Sequence, residues 1–240
     1  MAVALISGSA AAAFSSYEAD KILTVNVNVG SGSGNKLVAV MFASVTGDTA
    51  ASRTLVSATF DGDSMTLGTS YTNQYNRAYR LAYIVTTKTG TLTVSGEATT
   101  DNGNFFLTAA AWDGIDASPI SGITNAHADN SAPSWTVSSA TGSEVIAFLL
   151  EPEFSTTLTA GTGTTIVTGF PIDTSSRRHY VLREDGASSV TIGGTYPGTR
   201  AWMGIAFSIL AGGGGGGSIV GPGLTSSPLL SGRLLRGLVR

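Results

Sequence analysis

Between Ile22 and Leu210 the chain keeps returning to one pattern: a short run of alternating apolar and polar residues that stops at Gly, Asp, Asn or Pro. Alternation with a period of two marks strands, because successive side chains leave a strand on opposite faces. The runs are Ile22–Val29, Lys36–Val45, Leu55–Phe60, Ser64–Thr69, Arg77–Thr86, Thr91–Ser95 and Phe105–Trp112, then Trp135–Ser138, Glu144–Leu150, Thr165–Thr168, Arg178–Arg183, Ser189–Ile192 and Ala201–Leu210. They are rich in β-branched and aromatic residues, and no segment before the C-terminal tail sustains a helical period between caps. Many short strands separated by turn residues predict an all-β antiparallel sandwich, jelly-roll-like in character.

The two series read as one pattern written twice, about 100 residues apart. Lys36-Leu-Val-Ala-Val-Met-Phe-Ala matches Ser143-Glu-Val-Ile-Ala-Phe-Leu-Leu. Arg77-Ala-Tyr-Arg-Leu matches Arg178-His-Tyr-Val-Leu, Gly90-Thr-Leu-Thr-Val matches Ser188-Ser-Val-Thr-Ile, and Phe105-Phe-Leu-Thr-Ala-Ala-Ala matches Ala201-Trp-Met-Gly-Ile-Ala-Phe. No flexible spacer lies between Trp112 and Trp135. The expectation is a single sandwich, residues 1–211, built from two interleaved half-repeats that each give strands to both sheets.

At Ala211 the composition changes. Gly212 to Gly217 is an unbroken six-glycine run, a flexible hinge spanning about 13 Å as a random coil. Residues 218–240 follow, leucine-rich and without an acidic residue; they carry +3, which leaves −6 on the rest of the chain. Wound as a helix, Leu230, Leu234, Leu235, Leu238 and Val239 share one half of the circumference and Arg233, Arg236 and Arg240 the other. Gly232 and Gly237 cost such a helix about 1 kcal/mol each relative to Ala, so the segment is expected to order on a partner. Its docking residues are Leu229, Leu230, Arg233, Leu234, Leu235, Arg236, Leu238 and Arg240.

Composition narrows the partners. Charged residues make up only 12% of the chain, so Ser, Thr, Asn and Gly must cover the surface. The net charge of −3 disfavours nucleic acid, which demands a basic face. With no cysteine, disulfides and thiolate metal sites are excluded. No apolar run approaches the roughly 18 residues that cross a bilayer as a helix. No Lys or Arg precedes Ala2–Ile6, so no secretory signal is expected and synthesis in a cytoplasm fits.

Residues suited to carrying chemistry are sparse. His127 and His179 are the only two histidines, and no G-x-S-x-G elbow singles out a serine. Glu151, Glu153, Glu184 and Asp185 are the densest carboxylates, but a glycosidase needs its pair facing across one cleft about 5–10 Å apart. Asp61-Gly-Asp63 and Asp113-Gly-Ile-Asp116 offer calcium-type oxygens, yet Asp-Gly is first of all a tight-hairpin dipeptide. Gly30-Ser-Gly-Ser-Gly34 lacks the lysine and the following helix of a phosphate loop and reads as a strand connection. No catalytic residue, metal or cofactor is assigned. Tyr71, Tyr75 and Tyr79 with Arg77 form the one polar-aromatic cluster, a candidate loop for gripping a glycan or another protein.

Several motifs resemble a jelly-roll-like β-sandwich domain of bacteriophage and bacterial surface proteins. They are Ala58-Thr-Phe-Asp-Gly-Asp-Ser-Met-Thr-Leu67, Arg80-Leu-Ala-Tyr-Ile-Val85, Ala110-Ala-Trp-Asp-Gly-Ile-Asp116 with Pro119-Ile120, and the closing strand Trp202–Leu210. Ser226-Ser-Pro-Leu-Leu-Ser-Gly-Arg-Leu-Leu-Arg236 is similar to terminal segments of some phage virion proteins. The resemblance implies a non-enzymatic virion accessory protein: a capsid decoration (cement) protein, a spike or a tail component. Its partners would be major capsid or tail subunits, further copies of itself, or a surface glycan.

Overall fold

The computed structural model describes residues 2–15, 22–45, 55–72, 77–98, 104–151, 157–171 and 178–212. Among them every regular element is a strand, and every strand pairing is antiparallel. The first half contains β1 (Ala4–Leu5), β2 (Ala11–Ser15), β3 (Ile22–Asn28), β4 (Lys36–Val45), β5 (Leu55–Phe60), β6 (Asp63–Ser64), β7 (Thr66–Thr72), β8 (Arg77–Thr86), β9 (Thr91–Ala98) and β10 (Asn104–Asp113). The second contains β11 (Ile115–Asn130), β12 (Ser134–Val137), β13 (Glu144–Glu151), β14 (Thr159–Ala160), β15 (Thr165–Pro171), β16 (Arg178–Asp185), β17 (Val190–Thr195) and β18 (Arg200–Ala211).

The antiparallel sandwich and the repeat are both present, but the halves do not interleave. In the first half an inner sheet runs β1-β10-β4-β8-β7, with β2 also on β10, and an outer sheet runs β3-β9-β5-β6. The second half repeats the plan with β11-β18-β13-β16-β15 inside and β12-β17-β14 outside. No sheet mixes strands from the two halves. The cause is visible in the central strands: β4, β10, β13 and β18 are buried along nearly their whole length, on both faces. A two-layer sandwich leaves one face of every strand wet, so such strands need cover on each side. Stacking the halves back to back, inner sheet on inner sheet, supplies it.

The stack has three cores. The first half closes around Val38, Val40, Phe42, Phe60, Val94, Phe105 and Leu107. The second closes around Trp135, Leu149, Tyr180, Leu182, Ile192 and Trp202. Between the inner sheets lie Leu37, Met41, Leu81, Phe106 and Trp112 against Ile146, Phe148, Val181, Met203, Ile205 and Phe207. Trp112 meets Phe148 edge-on, centroids 6.4 Å apart, and Phe148 tilts against Phe207 at 5.9 Å. Each fully buried side chain of this size contributes about 1.5–3 kcal/mol, so the middle core is a substantial source of cohesion between the halves.

Ladder registers fix how the repeat aligns. Met41 stands opposite Leu81 and Thr108, and Phe148 stands opposite Val181 and Ile205. Matching β4 to β13 as the sequence suggests therefore pairs Leu81 with Val181, Tyr79 with His179, and Thr108 with Ile205. The sequence alignments of β8 with β16 and of β10 with β18 were each one residue out. A one-residue slip moves a side chain to the other face of the sheet. Four further strands escaped the sequence reading: the two-residue β1 and β14, the five-residue β2, and the sixteen-residue β11, which pairs along β18 from Ala211 back to Arg200.

The strands define two poles. Ser15, Val45, Leu55, Thr72, Arg77, Ala98 and Asn104 end at one, as do Asn130, Glu151, Pro171, Arg178 and Arg200. At the other, Gly114 (φ +69°) passes the chain from β10 to β11. A Cβ there would lie 2.3 Å from the Ala2 carbonyl oxygen, so the chain's start packs against the crossover. Gly212 N–H donates to Gly114 O at 2.7 Å, so the chain also leaves its last strand here.

Candidate functional site

The docking residues Leu229, Leu230, Arg233, Leu234, Leu235, Arg236, Leu238 and Arg240, and the hinge beyond Gly212, lie outside the described residues. What the structure fixes is their point of departure, Gly212 at the crossover pole.

The tyrosine cluster is only partly a surface feature. Tyr71 and Tyr79 face each other across the β7–β8 ladder and stack with centroids 5.5 Å apart; Tyr75 lies outside the described residues. Tyr79 is 1% exposed and belongs to the middle core, so it offers no ring to a ligand. Its hydroxyl donates to Asn125 Oδ1 at 3.2 Å and sits 3.3 Å from His127 Nδ1, tying the first half to β11. Burial, then the neighbouring Tyr71, pushes the phenol up beyond its ordinary range. Arg77 is buried as well, which leaves Tyr71, half-buried, as the one described ring of the cluster near solvent.

The second histidine holds the other flank of the same interface. His179 is fully buried, its Nδ1 hydrogen-bonded to Thr108 Oγ1 on β10, its ring 5.5 Å from Phe106. Removal from water lowers its pKa to about 3, so it is neutral at physiological pH. A buried, neutral ring between two sheets acts as a strut and has no substrate to meet.

The carboxylates spread along the β13–β16 ladder. Glu151 stands opposite Arg178 on the β13–β16 ladder, while Glu184 lies six residues farther along β16, about 20 Å away at strand rise. Glu151 is fully buried, and both it and Arg178 act on the Tyr180 and Tyr196 phenols. Glu184 accepts from Thr164 Oγ1 at 3.0 Å. Glu153 lies outside the described residues. Glu151 and Glu184 are therefore too far apart to form a glycosidase pair with each other, and Asp185 stands opposite Glu144 on the same ladder.

Glu144 is the carboxyl that sequence reasoning passed over. It begins β13, is 5% exposed, and lies 3.4 Å from Arg183 Nη1. Burial raises its pKa to about 7; Arg183 and the indole of Trp112 pull down, and Asp185 pushes up. Its signal was its place in the repeat: the matching first-half residue is Leu37, so a carboxyl here had to enter a core.

The glycine-rich segments proved structural. Asp61 (φ +49°) and Gly62 (φ +86°) form the two-residue turn between β5 and β6, both left-handed as a tight hairpin requires. Lys88 Nζ bridges Asp61 and Asp63 at 3.0 and 2.8 Å. Asp116 Oδ1 accepts from Ser118 N at 3.0 Å, an ordinary turn bond. The Gly30–Gly34 segment wraps an internal cation: buried Lys36 donates through Nζ to the Gly32 carbonyl and, at 3.0 Å, to Lys88 O. Among the described residues no group of three or more His, Asp or Glu is placed to hold a metal.

Two grooves mark the described surface. One, of about 380 Å³, crosses the second outer sheet over Gly161, Gly193 and Gly194, between Pro133 and Thr195. The other, of about 290 Å³, opens where the halves meet, between β8 and β11. Compared with known proteins, the chain matches no family model, no curated protein and no solved structure, so the phage-domain resemblance has no relative behind it and continues below as a proposal.

Proposed function

We propose that this chain is a non-enzymatic bacteriophage virion accessory protein, a capsid decoration (cement) or spike protein, that docks on major capsid or tail subunits through residues 218–240. The observation that supports it is the separation of the poles. The chain leaves its last strand at Gly212, beside the crossover, while the strand ends flanking 46–54, 73–76, 99–103, 152–156 and 172–177 all stand at the far end. A body held by its arm at one pole presents the other pole outward. Binding energy would come from burying Leu229, Leu230, Leu234, Leu235 and Leu238, with Arg233, Arg236 and Arg240 pairing to acidic groups of the partner. Removing residues 213–240 is expected to abolish incorporation into particles while the thermal midpoint of the sandwich stays within a few degrees. Full incorporation of the truncated chain would sink the reading.

A second reading places a host-surface glycan at the outward pole, on the segment joining β7 to β8. Tyr71, half-buried at the end of that ladder, favours it. A glycan array should then show selective binding that Tyr75→Ala reduces at least tenfold. Equal binding by the variant removes this reading.

A further inference from the structure

The groove between the halves has an apolar floor and two bare walls. Tyr83 and Val85 of β8 and Ile120 of β11 line it and pack on the middle core, joined by Pro119 and closed at one end by Thr66. The β7 strand parts from β8 at the pair Thr66–Tyr83, whereas β8 continues to Thr86. Among the described residues no strand covers that last stretch of the β8 edge. Opposite it, the β11 register jumps from Ile115–Ala211 to Ile120–Ile209, and the residues between stand off the β18 ladder. A bare strand edge above an apolar floor suits an extended peptide, whose main chain pairs with the edge while alternate side chains fill the floor.

The nearest candidate is the chain's own arm. Gly212 leaves the ladder beside Gly114, and the groove's β11 wall begins at Ala117, about 10–20 Å away at strand rise. The glycine hinge spans about 13 Å and reverses direction at little steric cost. The first apolar residues past it are Ile219 and Val220, both β-branched and suited to extended backbone. Gly221-Pro222-Gly223 then stops any strand, matching the short length of open edge.

We propose that Ile219 and Val220 dock in this groove as a short strand added to β8, latching the arm to its own domain and setting where residues 229–240 begin. The latch is independent of what those residues bind. The chain has no cysteine, so cysteines introduced at two serines can report it. In the full-length protein, Ser118→Cys with Ser218→Cys is expected to form an intrachain disulfide about tenfold faster than Ser33→Cys with Ser218→Cys, which shares the tether and the pole. Adding Ile219→Asp and Val220→Asp should erase that advantage and raise amide exchange across Ile84–Thr86. Equal rates for the two cysteine pairs would overturn the latch. A disulfide between chains in place of the intrachain one would overturn self-docking and assign the groove to a second copy's arm.

Discussion

The two halves lay down the same inner and outer sheets, yet they fill equivalent positions with different chemistry. Where the first half places Leu37 and Tyr79 in the middle core, the second places Glu144 and His179. Where the first outer core holds Leu107 with Val25 beside it, the second has Gly204 and Trp135. The latter exchange conserves volume: a Cβ at Gly204 would lie 2.6 Å from the Trp135 ring, so the indole fills the space that Leu107 occupies in its own half. The former exchange makes the interface asymmetric. Its buried carboxyl and imidazole both come from the second half, while the first answers with Trp112, Thr108 and Tyr79. A duplicated fold thus keeps its packing and can vary the polarity of the seam where the copies meet.

The strongest way to break the comparison is through the shared core. Trp112→Ala removes the first half's largest contribution to it and should cost about 3–5 kcal/mol. It leaves Trp135 and Trp202, both in the second half, as the remaining indoles. If the halves unfold together, their fluorescence midpoint in urea will fall with the far-ultraviolet dichroism. A second-half midpoint that stays at the wild-type value would show that the middle core does not couple them.

Next in size, Gly204→Ala should lose about 2–3 kcal/mol, because its methyl would also meet the Phe148 carbonyl oxygen at 2.3 Å. Combining it with Trp135→Val, the residue at the matching first-half site, should recover part of that loss. Additive losses in a double-mutant cycle would mean that the two sites do not exchange volume.

The seam's polarity predicts a pH dependence, with the signs opposed. His179 has a folded pKa of about 3, below its unfolded value near 6.5, so its contribution is complete above pH 6.5 and is lost as pH falls toward 3. Glu144 has a folded pKa of about 7, above the ordinary 4.5, so the folded state is favoured below 4.5 and loses ground as pH rises toward 7. From pH 6.5 to 4.5 the two slopes oppose each other; below 4.5 only the histidine acts. In a Glu144→Gln background the histidine stands alone and should cost about 2 kcal/mol between pH 7 and pH 5. Adding His179→Asn should flatten that slope while keeping an amide against Thr108. An unchanged slope would place the acid sensitivity elsewhere.

What the sequence revealed follows its physical signals. Alternation located most strands, and Asp61-Gly62 announced its turn, because both depend on residues adjacent in the chain. The stacked arrangement was written in Lys36–Val45, Phe105–Trp112, Glu144–Leu150 and Ala201–Leu210, whose largely apolar character on both faces calls for cover on each side. β2 and β11 stayed hidden because Ala11–Ser15 and Ile115–Asn130 are rich in small and polar residues without a steady apolar alternation, and their pairing is imposed by β10 and β18. The repeat slipped by one residue in β8/β16 and β10/β18 because several of those segments are apolar on both faces and carry no marker of which side is which. As for the site, Tyr79 and His179 were conspicuous as residue types; only the sheet-to-sheet contact shows that both serve the seam.

The exit of the arm from β18 also has a mechanical meaning. β18 lies between β11 and β13 and is paired to both along most of its length. Its ladder bonds stand perpendicular to the strand axis, so a pull on Gly212 along that axis loads them together, in shear, and does not open them one at a time. The short β1, paired to β10 through Ala4 and Leu5, has far fewer ladder bonds to share the same load. If the protein docks through residues 218–240 as proposed, it hangs from a centrally paired strand, and pulling on that end should demand a larger rupture force than pulling on the other.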